Sequence, residues 1–308
     1  MSLFDLVSDP TFQRVCLGTS MIGAISGAIG CFAYLRKQSL VGDVVAHSSL
    51  FGVVLFFLGN YLLFGQSSKS LFVLVPGAIF SGVLALWVNQ WFLRTTKVRV
   101  DSSLGVMLAI FFGSGVFLLR WIQRSTPPIR GHRGLEGYFF GQAAAITTND
   151  LVMIFTMGVV SILLVVLFFK ELKIFTLDPV FSKNMGLPTR WLELLMVVLI
   201  VIGVVIGIQS IGVILMIAML VTPPAAARQW VSSLQAMMWV SALIGVVSGG
   251  IGCLISASLD KMPTGPIIIL VCIGLFLVSL FFAPHRGLVS DWIAKRRFKG
   301  RSFGGHFE

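Results

Sequence analysis

Several stretches of this chain run apolar for 18 residues or more, and a helix of that length spans a hydrocarbon core of roughly 30 Å. No single water-soluble core could bury so many. Composition agrees: 56% of the residues are hydrophobic and 11% charged, with a mean hydropathy of +0.96. In lipid each segment must satisfy its own backbone N–H and C=O groups, and uninterrupted apolar runs do so as helices, since barrel strands would alternate polar and apolar residues. The expected fold is an all-α polytopic membrane bundle. Spans are expected at about 15–35, 43–64, 71–93, 102–120, 150–169, 191–207, 209–227, 234–258 and 265–282, which makes nine, or eight if the two around "GIQSIG" merge. If they stay separate, the turn between them is tight.

Lysine and arginine set the orientation, because cytoplasmic loops carry the excess. With the C-terminal tail inside, the inner side holds sixteen of the 23 basic residues and the outer side seven. Four of those seven, Arg120, Arg124, Arg130 and Arg133, crowd the loop "RWIQRSTPPIRGHRGLEG" and oppose this topology. The formal net charge of +11 then reads as an orientation signal and contact with anionic lipid. No soluble basic domain is present, so nucleic acid is not an expected partner. The N-terminus lacks the positive region of a cleavable signal peptide, so the first span is expected to persist. Three blocks follow: an extramembrane segment at 1–14, a membrane domain at 15–284 and a basic cytoplasmic tail at 285–308.

Charged groups inside spans cost roughly 2.5 to 3.5 kcal/mol on insertion scales and usually face an interior path. Asp43 and His47, in "GDVVAHSSL", lie at i and i+4 on one helical face, where one cation can touch both. Carboxylate oxygen and imidazole nitrogen suit Mn²⁺, Fe²⁺ and Zn²⁺. Two ligands make a weak site, and a symmetric partner would double them. The competing reading makes Asp43 a helix N-cap and His47 a neutral histidine bonded to its surroundings. Asp101 is expected to cap the helix that follows "KVRV", Glu136 to sit in an interfacial turn, and His132, His285 and His306 to be solvated. Cys16, Cys31, Cys253 and Cys272 have no CxxC spacing and read as small buried apolar residues. Small residues at Gly23, Gly27, Gly245 and Gly249 favour close helix packing.

No G-x-x-x-x-G-K-[ST] loop occurs, so a P-loop motor would have to be another subunit. The polar loop from Lys170 to Arg190 offers a handle for one: Asp178-Pro179 opens a short amphipathic turn and Gly186-Leu187-Pro188 closes it. An ordinary interfacial helix would have the same pattern.

The blocks "GDVVAHSSLFGVVLFFLG", "VDSSLGVMLAIFF", "LEGYFFG", "DPVFSKNMGLPTRWLELL", "QSIGVILMIAMLVTPPAAARQW" and "IGVVSGGIGCLISASLDKMPTGPIIILV" resemble, in order, the permease subunit of the ABC-3 family of manganese, zinc and iron importers. The resemblance implies a bacterial cytoplasmic-membrane subunit without an ATPase site of its own and with no permanently bound cofactor. It works beside an ATP-binding cassette subunit, a second permease and an extracytoplasmic metal-binding protein. It also implies that Asp43 and His47 form a transient metal site. The segment at about 172–188, with Asp178, Pro179, Phe181, Gly186, Leu187 and Pro188, would then couple to the ATPase. Two departures stand out: the long basic loop at 121–135, and Pro223-Pro224 where one proline is usual, which puts the local helix end in doubt. The rival is a stand-alone secondary transporter or channel for divalent cations, driven by a gradient alone. An intramembrane metalloprotease is weaker still, because no H-E-x-x-H is present.

Overall fold

A computed structural model of the chain describes residues 8–37, 40–64, 71–125, 146–259, 262–284 and 287. Among these no strand occurs, and eleven helices follow in order. The first four are α1 Pro10–Leu35, α2 Leu40–Phe64, α3 Leu71–Thr95 and α4 Val100–Arg124. Next come α5 Thr148–Leu167 and two short helices, α6 Phe169–Leu177 and α7 Pro179–Asn184. The series ends with α8 Thr189–Ile211, α9 Val213–Trp230, α10 Leu234–Ser258 and α11 Thr264–Phe282. All but α6 and α7 are long and apolar enough to cross a membrane, giving nine candidate spans among the described residues. The chain is a multi-pass membrane bundle. Glu136, His132, His285, His306, Arg130 and Arg133 lie outside the described residues.

Local chemistry accounts for several helix ends. The Asp9 carboxylate accepts from the Thr11 N–H at 2.8 Å with Pro10 in the first turn, so α1 starts ahead of the apolar run itself. Thr147 and Asp150 form a reciprocal capping box on α5. Gly212, at φ 83° and ψ 164°, is the whole connection between α8 and α9, in a backbone region open essentially to glycine alone. The two adjoining spans are thus separate and the turn is as tight as it can be.

Two expectations about ends are corrected. Asp101 lies in the first turn of α4 and Arg99 occupies the cap position without a side-chain bond. Its carboxylate favours the positive helix end without satisfying an N–H as a cap would. Pro223 and Pro224 do not end α9, which continues to Trp230. The rings remove N–H donors that Met219 and Leu220 carbonyls would otherwise receive. The Ser26 hydroxyl on α1 lies 3.5 Å from the Met219 oxygen, and Gly30 lets α1 come against the Leu220 carbonyl. Neighbouring helices often answer freed carbonyls in this way.

Two groups of helices make up the bundle. In one, α1 packs on α9 and α10, with α11 behind; in the other, α2 lies between α3 and α4; α8 touches both. Small residues form the seams. Gly23 on α1 and Gly245 on α10 sit backbone to backbone, and a Cβ on either would strike the other's carbonyl. One turn away Ser241 donates to the Gly27 carbonyl at 2.7 Å. On the α2–α3 seam Gly52 meets Gly77 in the same manner, and the Ser81 hydroxyl donates to the Ser48 carbonyl. Lipid offers no hydrophobic drive for helix association, so this close contact with its dispersion and hydrogen bonds supplies the cohesion. Cys31, Cys253 and Cys272 are buried and all four cysteines are free thiols.

Candidate functional site

Asp43 and His47 both lie on α2. The helix runs from Leu40, so Asp43 sits in its first turn and is not the residue preceding it; the N-cap reading is overturned. Between them Val44, Val45 and Ala46, and next to them Ser48, are 0–1% exposed, whereas Asp43 and His47 are only half-buried. One face of α2 is therefore locked into the core, and the face carrying the pair stays partly accessible. The Ser48 and Ser49 hydroxyls are engaged with the carbonyls of Val45 at 3.1 Å and Ala46 at 2.6 Å.

Helix α4 fixes how deep the pair sits. The His47 ring meets Phe112 edge to face at 5.0 Å between centroids with planes at 75°, and Phe51 repeats this one turn on against Phe111, 5.8 Å and 85°. Such aromatic pairs have preferred geometry and hold a ring in one orientation. Phe112 is the central residue of α4, twelve from Val100 and twelve from Arg124. His47 thus lies near mid-depth of the bundle, walled on one side by an apolar ring. Among the described residues no group of three His, Cys, Asp or Glu side chains could hold a metal ion.

The Lys170–Arg190 loop resolves into α6, a break at Asp178, and α7. Asp178 caps α7, its carboxylate accepting from the Phe181 N–H at 2.9 Å, and Pro179 takes the first helical position. Gly186 at φ 77° turns the chain toward Leu187 and Pro188. The same stretch presents Val180 and Phe181, 70% and 52% exposed, on this short helix and Met185, 56% exposed, at its C-terminal cap. An expected single element at about 172–188 is two helices, because the extended Asp178 preceding proline cannot continue α6.

Sequence reasoning missed a polar cluster at this end of the bundle. Glu193, in the first turns of α8, lies 3.3 Å from Arg94 at the end of α3, and lines a cavity with Arg36 at the end of α1. The available signal was a carboxylate two residues inside the run expected to begin at 191. Beside it Ser103 donates to the buried Asn89 amide oxygen at 2.6 Å, tying α3 to α4.

A bundle of this kind, with a half-buried acid–imidazole pair at mid-depth and a projecting capped helix at one end, is built as a membrane permease. The chain belongs to the ABC 3 transport family, whose model matches residues 8–283. It is 43% identical over 296 residues to the zinc transport system membrane protein TroC of Treponema pallidum (strain Nichols), covering 96% of this chain and 97% of that one. It is 42% identical over 301 residues to the manganese transport system membrane protein MntC of Bacillus subtilis (strain 168), 98% of this chain and 67% of that one. Among solved structures, PsaBC from Streptococcus pneumoniae in complex with Fab matches with a TM-score of 0.77 at 29% identity, covering 92% of this chain and 96% of that one.

Proposed function

We propose that this chain is the transmembrane permease subunit of an ATP-driven importer of divalent transition-metal ions, set in the bacterial cytoplasmic membrane. The observation that carries the reading is the Asp43–His47 pair: two groups of metal-ligating type on one face of α2, near mid-depth and half-buried. Relatives named for zinc and for manganese transport support the class of cargo, and the N and O donors are compatible with Mn²⁺, Fe²⁺ and Zn²⁺ alike.

A second permease, identical or paralogous, would bring a matching pair across a two-fold axis and complete a four-ligand site between the protomers. An extracytoplasmic binding protein delivers the ion to this site from outside. Asp43 supplies negative charge and His47 a neutral nitrogen, which offset the loss of the ion's hydration shell. The site is weak by design, because an ion held tightly would not leave. ATP-driven closure of cassette subunits, received through Asp178, Pro179, Phe181, Gly186, Leu187 and Pro188, reopens the bundle inward. The Asp178 cap and the Gly186 turn hold α7 as a rigid projection whose exposed Phe181 seats in the motor. The permease itself carries out no hydrolysis.

The test is energised uptake of Mn²⁺, Fe²⁺ and Zn²⁺ by cells carrying the whole transporter, comparing wild type with a normally assembled His47→Ala variant. Loss of uptake is expected for the physiological metal. Undiminished uptake of all three would remove His47 from the path, and flux through this chain alone, without ATP, would favour a gradient-driven channel.

A further inference from the structure

The end of α1, the start of α2 and the two stems of the α7 projection converge on one side chain. Arg36 ends α1, its N–H donating to the Phe32 carbonyl at 3.2 Å. The following Lys37 adopts φ 56°, a left-handed conformation uncommon for a residue with a side chain, and so reverses the chain sharply toward α2. The Arg36 guanidinium lies over the Phe175 ring, 4.6 Å from its centroid. Phe175 belongs to α6, the stem leading into α7. On its other side Arg36 lines a cavity with Val41 of α2, Asn89 of α3, Leu104 of α4 and Glu193 of α8, and α8 is the stem leading out of α7. Burial pulls the guanidinium below its ordinary pKa while the Glu193 carboxylate pushes it back up; an arginine so placed stays charged at neutral pH.

We propose that Arg36, stacked over Phe175 and facing Glu193 across a shared cavity, is the positioning residue that carries movement of the 178–188 projection to α2 and its Asp43–His47 pair. This rests on the permease reading above. The guanidinium lies over one stem of α7 and shares a cavity with the other, and Asp43 follows it by seven residues. Leu104, which lines the same cavity, precedes Phe112 by eight residues on α4, which places the linkage about 12 Å below His47 at 1.5 Å per residue. Arg94 holds the Glu193 carboxylate at 3.3 Å from the more exposed side, its side chain 58% accessible against 27% for Glu193. Arg36, across the cavity, is thus a second cation that Glu193 can reach as α8 shifts. The stacked, planar contact on Phe175 is one that lysine cannot reproduce.

The experiment is uptake of Mn²⁺, Fe²⁺ and Zn²⁺ and ATP hydrolysis measured together in proteoliposomes containing the complete transporter, expressed as metal moved per ATP. Arg36→Gln is expected to lower that ratio about tenfold, an ordinary coupling free energy, with hydrolysis retained. Glu193→Gln and Phe175→Leu should lower it in the same direction, and Arg36→Lys should recover part of the loss through charge alone. An unchanged ratio in assembled Arg36→Gln overturns the linkage; if that variant does not assemble, unchanged ratios in both Glu193→Gln and Phe175→Leu overturn it equally. Wild-type transporter that hydrolyses ATP without moving any of the three metals would instead overturn the proposed function, and the linkage with it.

Discussion

Replacing Gly77 by alanine should destabilise the bundle by about 2 kcal/mol, within the range for overpacking a filled interior. A Cβ at this position would lie 2.5 Å from the Gly52 carbonyl oxygen and 2.8 Å from the Phe56 Cβ. Ordinary contact begins near 3.4 Å, so the α2 backbone would have to retreat about 0.9 Å, and backbone cannot rotate away as a side chain can. The retreat also stretches the Ser81 to Ser48 bond on the same seam. Gly59, on the same α2 helix, provides the control because a Cβ there meets nothing within 4 Å. Gly59→Ala should be neutral or stabilising by up to about 1 kcal/mol, the helix-propensity difference. Reversible unfolding of the purified permease, titrated with denaturing detergent in mixed micelles, measures both on one scale. Equal shifts for the two variants would refute the view that contact at the seam, and not glycine's flexibility, sets the cost. Because His47 stands five residues before Gly52 on α2, Gly77→Ala should also reduce metal uptake in proportion to the displaced helix.

Two further outcomes follow from backbone chemistry. Gly212→Ala forces a side chain into φ 83° and should cost about 1–3 kcal/mol, read in the same unfolding assay; no loss would mean that the α8–α9 turn can adopt another conformation. Asp178→Ala removes the bond to the Phe181 N–H and about 1 kcal/mol of helix stability. It should weaken association with the cassette subunit, measured by co-purification, while thermal stability of the membrane bundle is unchanged.

The spans were legible because hydropathy is a property of each segment alone. The α7 projection was legible because Asp-Pro and Gly-Leu-Pro carry their own geometry at Asp178 and Gly186. What could not be read were consequences of contact between distant segments. The persistence of α9 beyond Pro223 depends on Ser26 and Gly30 of α1, nearly 200 residues earlier. Asp43 and His47 were identifiable as a pair on one face, but their depth came from Phe112, which an apolar run does not distinguish from its neighbours. Arg36, Phe175 and Glu193 fall in three separate stretches, each looking like an ordinary span border. At 120–124 the sequence suggested a basic loop, yet α4 extends through Arg124, because a helix may carry arginines on its exposed end without losing backbone bonds.

The Gly23–Gly245 seam bears on how the protein is made. Its two sides are 222 residues apart, and ribosomes add roughly 5–20 residues per second, so the first helix enters the bilayer about 10 to 45 s before its partner exists. During that interval the groove at Gly23 and Gly27 faces lipid or an insertion factor, and any other small-residue helix nearby can compete for it. A chain stopped before Ser241 leaves the groove open for good, which makes insertion of α10 the step that commits the newborn permease to its final shape.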